Sequence, residues 1–333
     1  MSETPMQNAL SRYWPWFAVV AFGALPWLSG DRYLMNILIT FFVWSLIVVQ
    51  WNLVLGQAGI FSLVQFAIFN LGSYFTAVLG AHLGIPPAVS LIPAGLFCAL
   101  FGLLVGLPCL RLRGPYVALL TLATHSVVYL LIFADTSGFT GGGYGLSGFG
   151  DYGFRDLFGR NGQLVAYYYM ALILLIIGCL VAIWVMHSPL GLAFRALRDS
   201  EGYAGAVGIS CYRYQLIVFT LTSFFIGIAG SFNGTYLGLV DATGFDFGRM
   251  MLLLSMIVVG GMGTRWGPIL GCALLMVLTE FMRDYPQWGP MAIGIAVIVV
   301  LLLFPRGIAD GLARLFGCSG KQPATPAPAS GAH

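Results

Sequence analysis

The sequence predicts an all-α membrane protein: a polytopic transmembrane helical bundle of about ten spans, some interrupted by glycine, with both termini in the cytoplasm. Three observations lead to this fold class. The chain of 333 residues is 59% hydrophobic and only 8% charged, whereas soluble domains carry about 25% charged residues. Its apolar residues form runs close to the roughly 20 residues that a helix needs to cross a bilayer. Its basic residues are concentrated in alternate connecting segments, as the positive-inside rule requires.

Ten apolar runs, each ended by charge, glycine or proline, define the expected spans in chain order. The run at 249–260 is short for a bilayer core of about 30 Å, so we expect a broken or tilted segment there. The ten runs lie at roughly 14–29, 33–55, 60–80, 86–108, 115–134, 165–186, 215–239, 249–260, 267–282 and 289–304.

Alternation of ten spans assigns every connecting segment to one side of the membrane. With a cytoplasmic N-terminus, ten of the 15 basic residues lie inside, and cytoplasmic loops are enriched in positive charge. This orientation puts residues 1–13 and the segment 187–214 in the cytoplasm, and the long loop 135–163 outside. The transmembrane domain is expected over 14–316. Residues 317–333, rich in Pro, Ala, Ser and Gly, are expected to form a disordered cytoplasmic tail.

The cytoplasmic segment contains an unusual group of charges. Four charged side chains fall within residues 195–201, and the segment begins as a short helix does, with Ser188 as a possible N-cap and Pro189 at the first position. Apolar side chains between the charges make this helix amphipathic. A solvated loop whose charges only set the topology is the alternative, but such a loop needs neither acidic residues nor the small-residue run 202–208.

Several glycine-rich stretches accompany this segment. Residues 56–62 read Gly-Gln-Ala-Gly-Ile-Phe-Ser, residues 140–148 contain Thr-Gly-Gly and Gly-Leu-Ser-Gly, residues 260–271 contain Gly-Gly-Met-Gly-Thr and Gly-Pro-Ile-Leu-Gly, and residues 305–307 read Pro-Arg-Gly. Each stretch alone is weak evidence for a protein family, but the four stretches in this order are specific for one. Over roughly residues 52–316 the chain resembles the permease subunits of ATP-binding cassette (ABC) importers of the branched-chain amino acid type.

The resemblance implies that residues 187–214 form a coupling loop, which in this family inserts into a cleft of a separate ATPase subunit. It also implies the partners: a second homologous permease subunit, two ATP-binding subunits that bind ATP and Mg²⁺, and an external solute-binding protein, all assembled at the bacterial inner membrane. Glu201, Ala204 and Gly208 match the glutamate, alanine and glycine of the family's loop motif. The predicted ATPase-coupling residues are Ser188, Pro189, Gly191, Arg195, Arg198, Asp199, Glu201, Ala204 and Gly208.

The stretches 56–62 and 260–271 are candidate broken helices. Unwound backbone inside a membrane is tolerated only where it lines a cavity or is packed by protein, and glycine permits both unusual dihedral angles and close approach. A helix beginning near Ser62 or Gly267 could face a substrate carboxylate with the positive end of its dipole. Tight helix packing is the alternative. The predicted broken-helix glycines are Gly56, Gly59, Gly260, Gly261, Gly263 and Gly267.

Polar side chains within spans are costly unless they have a partner or line a polar path. Ser62, Gln65 and Asn70 cover neighbouring parts of one helical face, so we place the substrate path there. The chain departs from the family here, because Val64 and Gln65 replace a usual Gly-His pair and Asn70 replaces a usual glycine. Either the substrate differs from an ordinary branched-chain amino acid, or these positions are structural. The predicted path residues are Gln57, Ser62, Gln65, Asn70, Thr121, His125 and Asn233.

The leading hypothesis is an importer permease for a small polar solute, with branched-chain or other amino acids favoured over urea, short amides or aromatic carboxylates. A self-contained secondary transporter or channel is the alternative; it requires titratable groups at membrane depth, and only His125 qualifies. A His125 hydrogen-bonded within the bundle is the simpler interpretation. The glycine run at 141–145 lacks the Gly-Lys-Ser/Thr of a phosphate-binding loop. We therefore predict no catalytic residues, no metal site, no cofactor in this chain and no nucleic-acid partner.

Overall fold

The computed structural model describes residues 22–23, 25–26, 31–109, 111–112, 114–199, 211–285, 287–304 and 307–315. Helices dominate these residues, which confirms the all-α membrane class. The helices are α1 (Arg32–Asn52), a π-helix (Leu53–Gln57), α2 (Gln65–Leu83), α3 (Pro87–Cys109), α4 (Pro115–Phe133), α5 (Phe154–His187), α6 (Pro189–Asp199), α7 (Cys211–Leu237), α8 (Phe247–Gly260), α9 (Gly267–Phe281), α10 (Gly289–Leu303) and α11 (Ile308–Leu315). Two strands, β1 (Leu146–Ser147) and β2 (Leu239–Val240), and 3₁₀ turns at Gly142–Tyr144 and Ala242–Phe245 complete the elements.

Each predicted span from 33–55 onward corresponds to one of these helices. Within the described part of the chain, six helices are long and apolar enough to cross a membrane, whereas α8, α9 and α10 have 14, 15 and 15 residues. At 1.5 Å per residue these three rise about 21–23 Å, less than a hydrocarbon core of about 30 Å. The predicted span 14–29 lies largely outside the described residues, so the total of ten spans stays a prediction.

Two boundaries differ from the sequence-based expectation. The span predicted at 60–80 begins as a helix only at Gln65, because the backbone from Ala58 to Val64 is unwound after the π-helix. Helix α5 begins at Phe154, inside the predicted outer loop, and is kinked at Gly159, which has a φ of 68°. In both places a glycine with positive φ interrupts the helical backbone, and apolar patterning alone does not mark such a position.

The centre of the bundle is formed by α1, α2 and α7. A Cβ on Gly72 of α2 would overlap the backbone of Gly227 of α7, so the two backbones touch. Between the same helices, Ser73 Oγ donates to the Gly230 carbonyl at 2.7 Å. Gly102 of α3 packs in the same way against Ser223 of α7. Small residues and interhelical hydrogen bonds are how helices associate in lipid, so α7 holds α2 and α3 together.

The connecting segments gather at two opposite ends of the bundle. At the first, which we name the basic end, Tyr212 donates to the Leu107 carbonyl and Arg265 contacts His187. At the second, the loop end, β1 pairs antiparallel with β2, and Tyr33 of α1 is hydrogen-bonded to the carboxylate of Glu280 of α9. These contacts join segments that alternating spans assign to the same side of the membrane.

Candidate functional site

The two glycine-rich interruptions meet at the basic end, in a group we name the knot: Asn52, Gly56, Gln57, Gly263 and Thr264. The Asn52 amide donates to the Thr264 carbonyl at 3.0 Å and accepts from the Gly263 N–H at 2.8 Å. Gln57 Nε2 donates to the Gly263 carbonyl at 2.5 Å. A Cβ on Gly56 would overlap the Gly263 backbone. The knot therefore ties the end of the first broken helix to the turn between α8 and α9.

The other predicted broken-helix glycines serve two different purposes. Gly59, Gly261 and Gly263 have φ of 70°, 111° and 77°, in the region that glycine adopts without steric cost. Gly260 and Gly267 instead allow close approach, since a Cβ on either would overlap the backbone of the other. The two interruptions thus need glycine for the two reasons that were predicted, unusual dihedral angles and close approach of the backbone.

Helix α6 lies across the basic end and contacts the π-helix. Ser188 Oγ donates to the Val185 carbonyl at 2.8 Å, in the last turn of α5, and does not reach forward to cap α6. Gly191 lies against the Met186 carbonyl, where a Cβ would not fit. Phe194 is 1% exposed, and α6 packs against α5, α7 and the π-helix Leu53–Gln57. A force on α6 would therefore reach the broken helix directly.

The predicted coupling residues are described only in part. Arg195, Arg198 and Asp199 fall in the second half of α6, but their side chains lie outside what the structure describes. Glu201, Ala204 and Gly208 also lie outside the described residues. Their proposed contacts with an ATPase thus remain predictions.

One side-chain contact joins the end of α5, two residues before α6, to the turn that contains Gly263. Arg265 Nη2 lies 2.6 Å from His187 Nε2, and His187 Nδ1 lies 2.7 Å from the Ile183 carbonyl. An arginine can only donate, so the imidazole accepts at Nε2 and donates at Nδ1 to the Ile183 carbonyl. Three features of the basic end, namely α6, the knot and the turn after α8, are consequently connected.

A second polar group, the central cluster, consists of Ser62, Gln65, Asn70, Thr121 and His125. Thr121 Oγ1 accepts from the N–H of Leu63 at 3.0 Å and so holds the unwound segment against α4. His125 Nε2 lies 3.2 Å from the Phe245 carbonyl. Asn70 Nδ2 donates to the carbonyl one turn earlier in α2 at 2.9 Å.

Several polar atoms of this cluster are buried without a partner. Gln65 is 0% exposed, and both atoms of its amide, together with Ser62 Oγ and His125 Nδ1, form no hydrogen bond with any described residue. A buried polar group left unbonded costs about 1–3 kcal/mol. Groups of this kind inside a membrane bundle are suited to a passing polar solute.

Two clefts open from the central cluster toward the loop end, on either side of the turn Ala242–Phe245. The first, of about 550 Å³, is lined by His125, Tyr129, Phe245 and Arg249 among others. The second, of about 290 Å³, has Asn70, Asn233 and Arg249 in its lining. Of the predicted path residues, Asn70, Asn233 and His125 thus line clefts, whereas Gln57 belongs to the knot.

The turn between the clefts was not expected from the sequence. Phe245 is 4% exposed, and its ring packs against Tyr74, His125 and Tyr129 with centroids 6.1, 5.7 and 6.3 Å away. Asp241 accepts from Thr243 Oγ1 at 2.8 Å and from the backbone N–H of Gly244 at 3.2 Å. The only local signal was this aspartate, since Asp before a short polar stretch is typical of a turn.

Comparison with known proteins places these features in a family context. A family model described as "Branched-chain amino acid transport system / permease component" matches residues 33–305. The high-affinity branched-chain amino acid transport system permease proteins LivM of Escherichia coli (strain K12) and Salmonella typhimurium (strain LT2) are each 31% identical over 278 residues. A probable branched-chain amino acid transport permease protein LivM of Methanocaldococcus jannaschii is 24% identical over 263 residues.

The matched region covers 77% of this chain and 65% of the two bacterial relatives, so it spans less than two thirds of their length. For the archaeal relative the shares are 71% and 74%. No solved structure matches the chain.

Proposed function

Because the chain belongs to the family of branched-chain amino acid transport permease components, we propose that it is the membrane subunit of an ATP-driven importer of amino acids. Its partners are a second homologous permease, two ATPase subunits that bind ATP and Mg²⁺, and an external solute-binding protein. The assembly lies in the bacterial inner membrane, with the basic end and both termini of this chain in the cytoplasm. The permease itself carries out no chemical step.

The contact between α6 and the π-helix is the observation that carries this proposal. The amphipathic helix α6 buries Phe194 against the bundle, and α6 together with the segment that follows it, residues 188–209, is the proposed ATPase-binding surface. Closure of the ATPase subunits would move α6, and through it the π-helix and the unwound segment 58–64. Discrete shifts of packed elements transmit coupling in this way.

The substrate path runs from the clefts at the loop end, past His125 and Asn70, to Thr121, Gln65 and Ser62. Helix α4 supports this order, because it runs from the basic end at Pro115 to the loop end at Phe133 and places His125 about 6 Å nearer the loop end than Thr121. The external loop 135–163 receives the solute-binding protein. Its Tyr144 is 98% exposed, and exposed tyrosines are frequent anchors in protein interfaces.

Charge reversal in the coupling segment tests the proposal. The assembled transporter is reconstituted in proteoliposomes with ATP and the external binding protein, and leucine uptake is compared for wild type, Arg198→Glu and Glu201→Lys. We expect normal membrane insertion and loss of ATP-dependent uptake in both variants. Arg111→Glu, an exposed arginine at the same end, serves as the matched control and is expected to transport normally.

Two results would contradict this function. Normal uptake in both coupling variants would contradict a role of residues 188–209 in binding the ATPase subunits. Wild-type uptake that needs neither ATP nor partner subunits, and that is abolished by His125→Ala, would instead support a self-contained secondary transporter.

A further inference from the structure

The smaller cleft, of about 290 Å³, carries two opposite charges that do not pair with each other. Arg249, in the first turn of α8, and Asp241, just before the turn Ala242–Phe245, both line it. They form no salt bridge with each other, and Arg249 forms none with any other described residue. Opposite charges that share a cleft without touching can each bind a charge on a ligand placed between them.

Neighbouring bonds hold the Asp241 carboxylate and the backbone of Arg249 in place and leave hydrogen-bonding capacity on both charged groups. Asp241 Oδ1 accepts from Thr243 Oγ1 at 2.8 Å and from Gly244 N at 3.2 Å. Among the described residues, no donor contacts its Oδ2. The backbone N–H of Arg249 donates to Asp246 Oδ2 at 3.0 Å, which fixes the start of α8 and leaves the guanidinium available.

The remaining walls of the cleft are partly polar and partly apolar. Asn70 donates from Nδ2 to a backbone carbonyl of its own helix, so its Oδ1 is available as an acceptor, and Asn233 lies in the same lining. The other walls include Trp44, Phe69 and Leu253. This combination of a few polar groups with an apolar surface is typical of small-molecule sites, and the volume lies at the lower end of the roughly 300–1,000 Å³ that such sites have.

We propose that this cleft binds the zwitterionic head group of an α-amino acid, with the carboxylate on Arg249 and the ammonium group on Asp241. The guanidinium matches a carboxylate through two parallel hydrogen bonds, and the aliphatic side chain lies against Trp44, Phe69 and Leu253. The inference rests on the proposed function and assigns the residues of this chain that bind the head group of its substrate. Urea would leave both charges without an ionic partner, and an aromatic carboxylate would leave Asp241 without one.

Direct binding to the permease isolates this site from the external binding protein. The complete membrane complex is placed in lipid nanodiscs without that protein, and saturable binding of radiolabelled leucine is measured. Competitors are leucinol, which lacks the carboxylate, and 4-methylpentanoate, which lacks the ammonium group. We expect each to compete much more weakly than leucine against the wild-type complex.

The variants should separate the two contacts. Arg249→Gln is expected to raise the Kd for leucine about tenfold or more and to remove the disadvantage of leucinol, and Arg249→Lys should recover part of the affinity. Asp241→Asn should likewise raise the Kd for leucine and remove the disadvantage of 4-methylpentanoate. The controls Arg283→Gln and Asp284→Asn change exposed charges at the same end and should bind leucine as wild type does. Complex assembly is checked by size-exclusion chromatography.

The outcomes distinguish this inference from the function on which it rests. Absence of saturable leucine binding by the wild-type complex, or unchanged Kd values in both variants, would overturn the head-group site even if ATP-dependent leucine uptake is intact. ATP-dependent uptake of a solute other than an amino acid would instead overturn the proposed substrate class.

Discussion

Two groups of buried polar side chains flank the same break in the first described span, and they are built in opposite ways. In the knot, Asn52 uses both ends of its amide on the Gly263–Thr264 backbone. In the central cluster, Gln65 is as deeply buried and uses neither end. Bonded polar groups stabilise a fold, whereas unbonded ones cost stability. From this difference we predict that the knot stabilises the fold and that the central cluster contacts the transported solute.

Among these predictions, removal of the Asn52 amide from the knot should have the largest effect on stability. In Asn52→Ala, the Gly263 N–H and the Thr264 carbonyl lose their partner, and we expect a loss of about 2–4 kcal/mol in the free energy of unfolding. Thermal unfolding of the detergent-solubilised complex measures this change. Asn36→Ala is the control, because Asn36 is exposed and accepts one bond from Tyr236; its expected cost is under about 1 kcal/mol. Equal losses in the two variants would contradict the structural role of the knot.

A substitution in the central cluster should instead leave stability nearly unchanged and reduce transport. Gln65→Leu keeps the side-chain size but removes an amide that has no partner in the described structure, so stability should stay within about 1 kcal/mol of wild type or rise. Uptake should fall about two- to tenfold, the effect of losing one hydrogen bond to the solute. Thermal unfolding and proteoliposome uptake are measured on the same preparation. A variant that is destabilised but transports normally would place Gln65 with the knot.

The smallest expected effect concerns the exposed loop end, where the stability of the loop around Asp135 should depend on pH. Asp135 accepts hydrogen bonds from the hydroxyl of Ser137 and from the backbone N–H and hydroxyl of Thr140, and these bonds lower the pKa of the Asp135 carboxyl below its usual range. The loop contribution is therefore fully present above the unfolded pKa of about 4 and is lost as pH falls through the lower, folded pKa.

Limited proteolysis of the segment 135–145 by an acid-active protease, at pH values from 6 down to 2, measures this change. Protection should decrease only toward the acidic end in wild type. Asp135→Asn should remove that pH dependence, and a persistent decrease in the variant would show that another group is responsible.

Most of the helices could be predicted because each depends on a local property of the chain. Apolar runs of sufficient length, ended by Gly, Pro or charge, located α1 to α4 and α7 to α10 within about five residues, and located the end of α5 but not its start at Phe154. The unwound stretch before Gln65 was predicted as an interruption from its glycines but not as a seven-residue gap. Its length is set by contacts made elsewhere, such as the bond from the N–H of Leu63 to Thr121.

The candidate site could be predicted less completely. Asn70, Asn233 and His125 were found because a polar side chain within an apolar run is visible in the sequence. Asp241, Phe245 and Arg249 were not, because Asp241 and Phe245 lie in a connecting segment and Arg249 lies at the membrane end of α8, where such residues are ordinary. Only the folding of that segment between α2 and α4 brings them to the clefts.

Hydropathy, charge bias and glycine content act over a few neighbouring residues, so the amino-acid sequence alone predicts a multi-pass helical membrane protein with two glycine-rich interruptions. The tertiary structure alone decided which polar side chains are bonded. Asn52 and Gln65 have similar amide side chains in the same apolar region, and nothing local distinguishes them. Their roles differ because the turn after α8, some 200 residues away, reaches one amide and not the other.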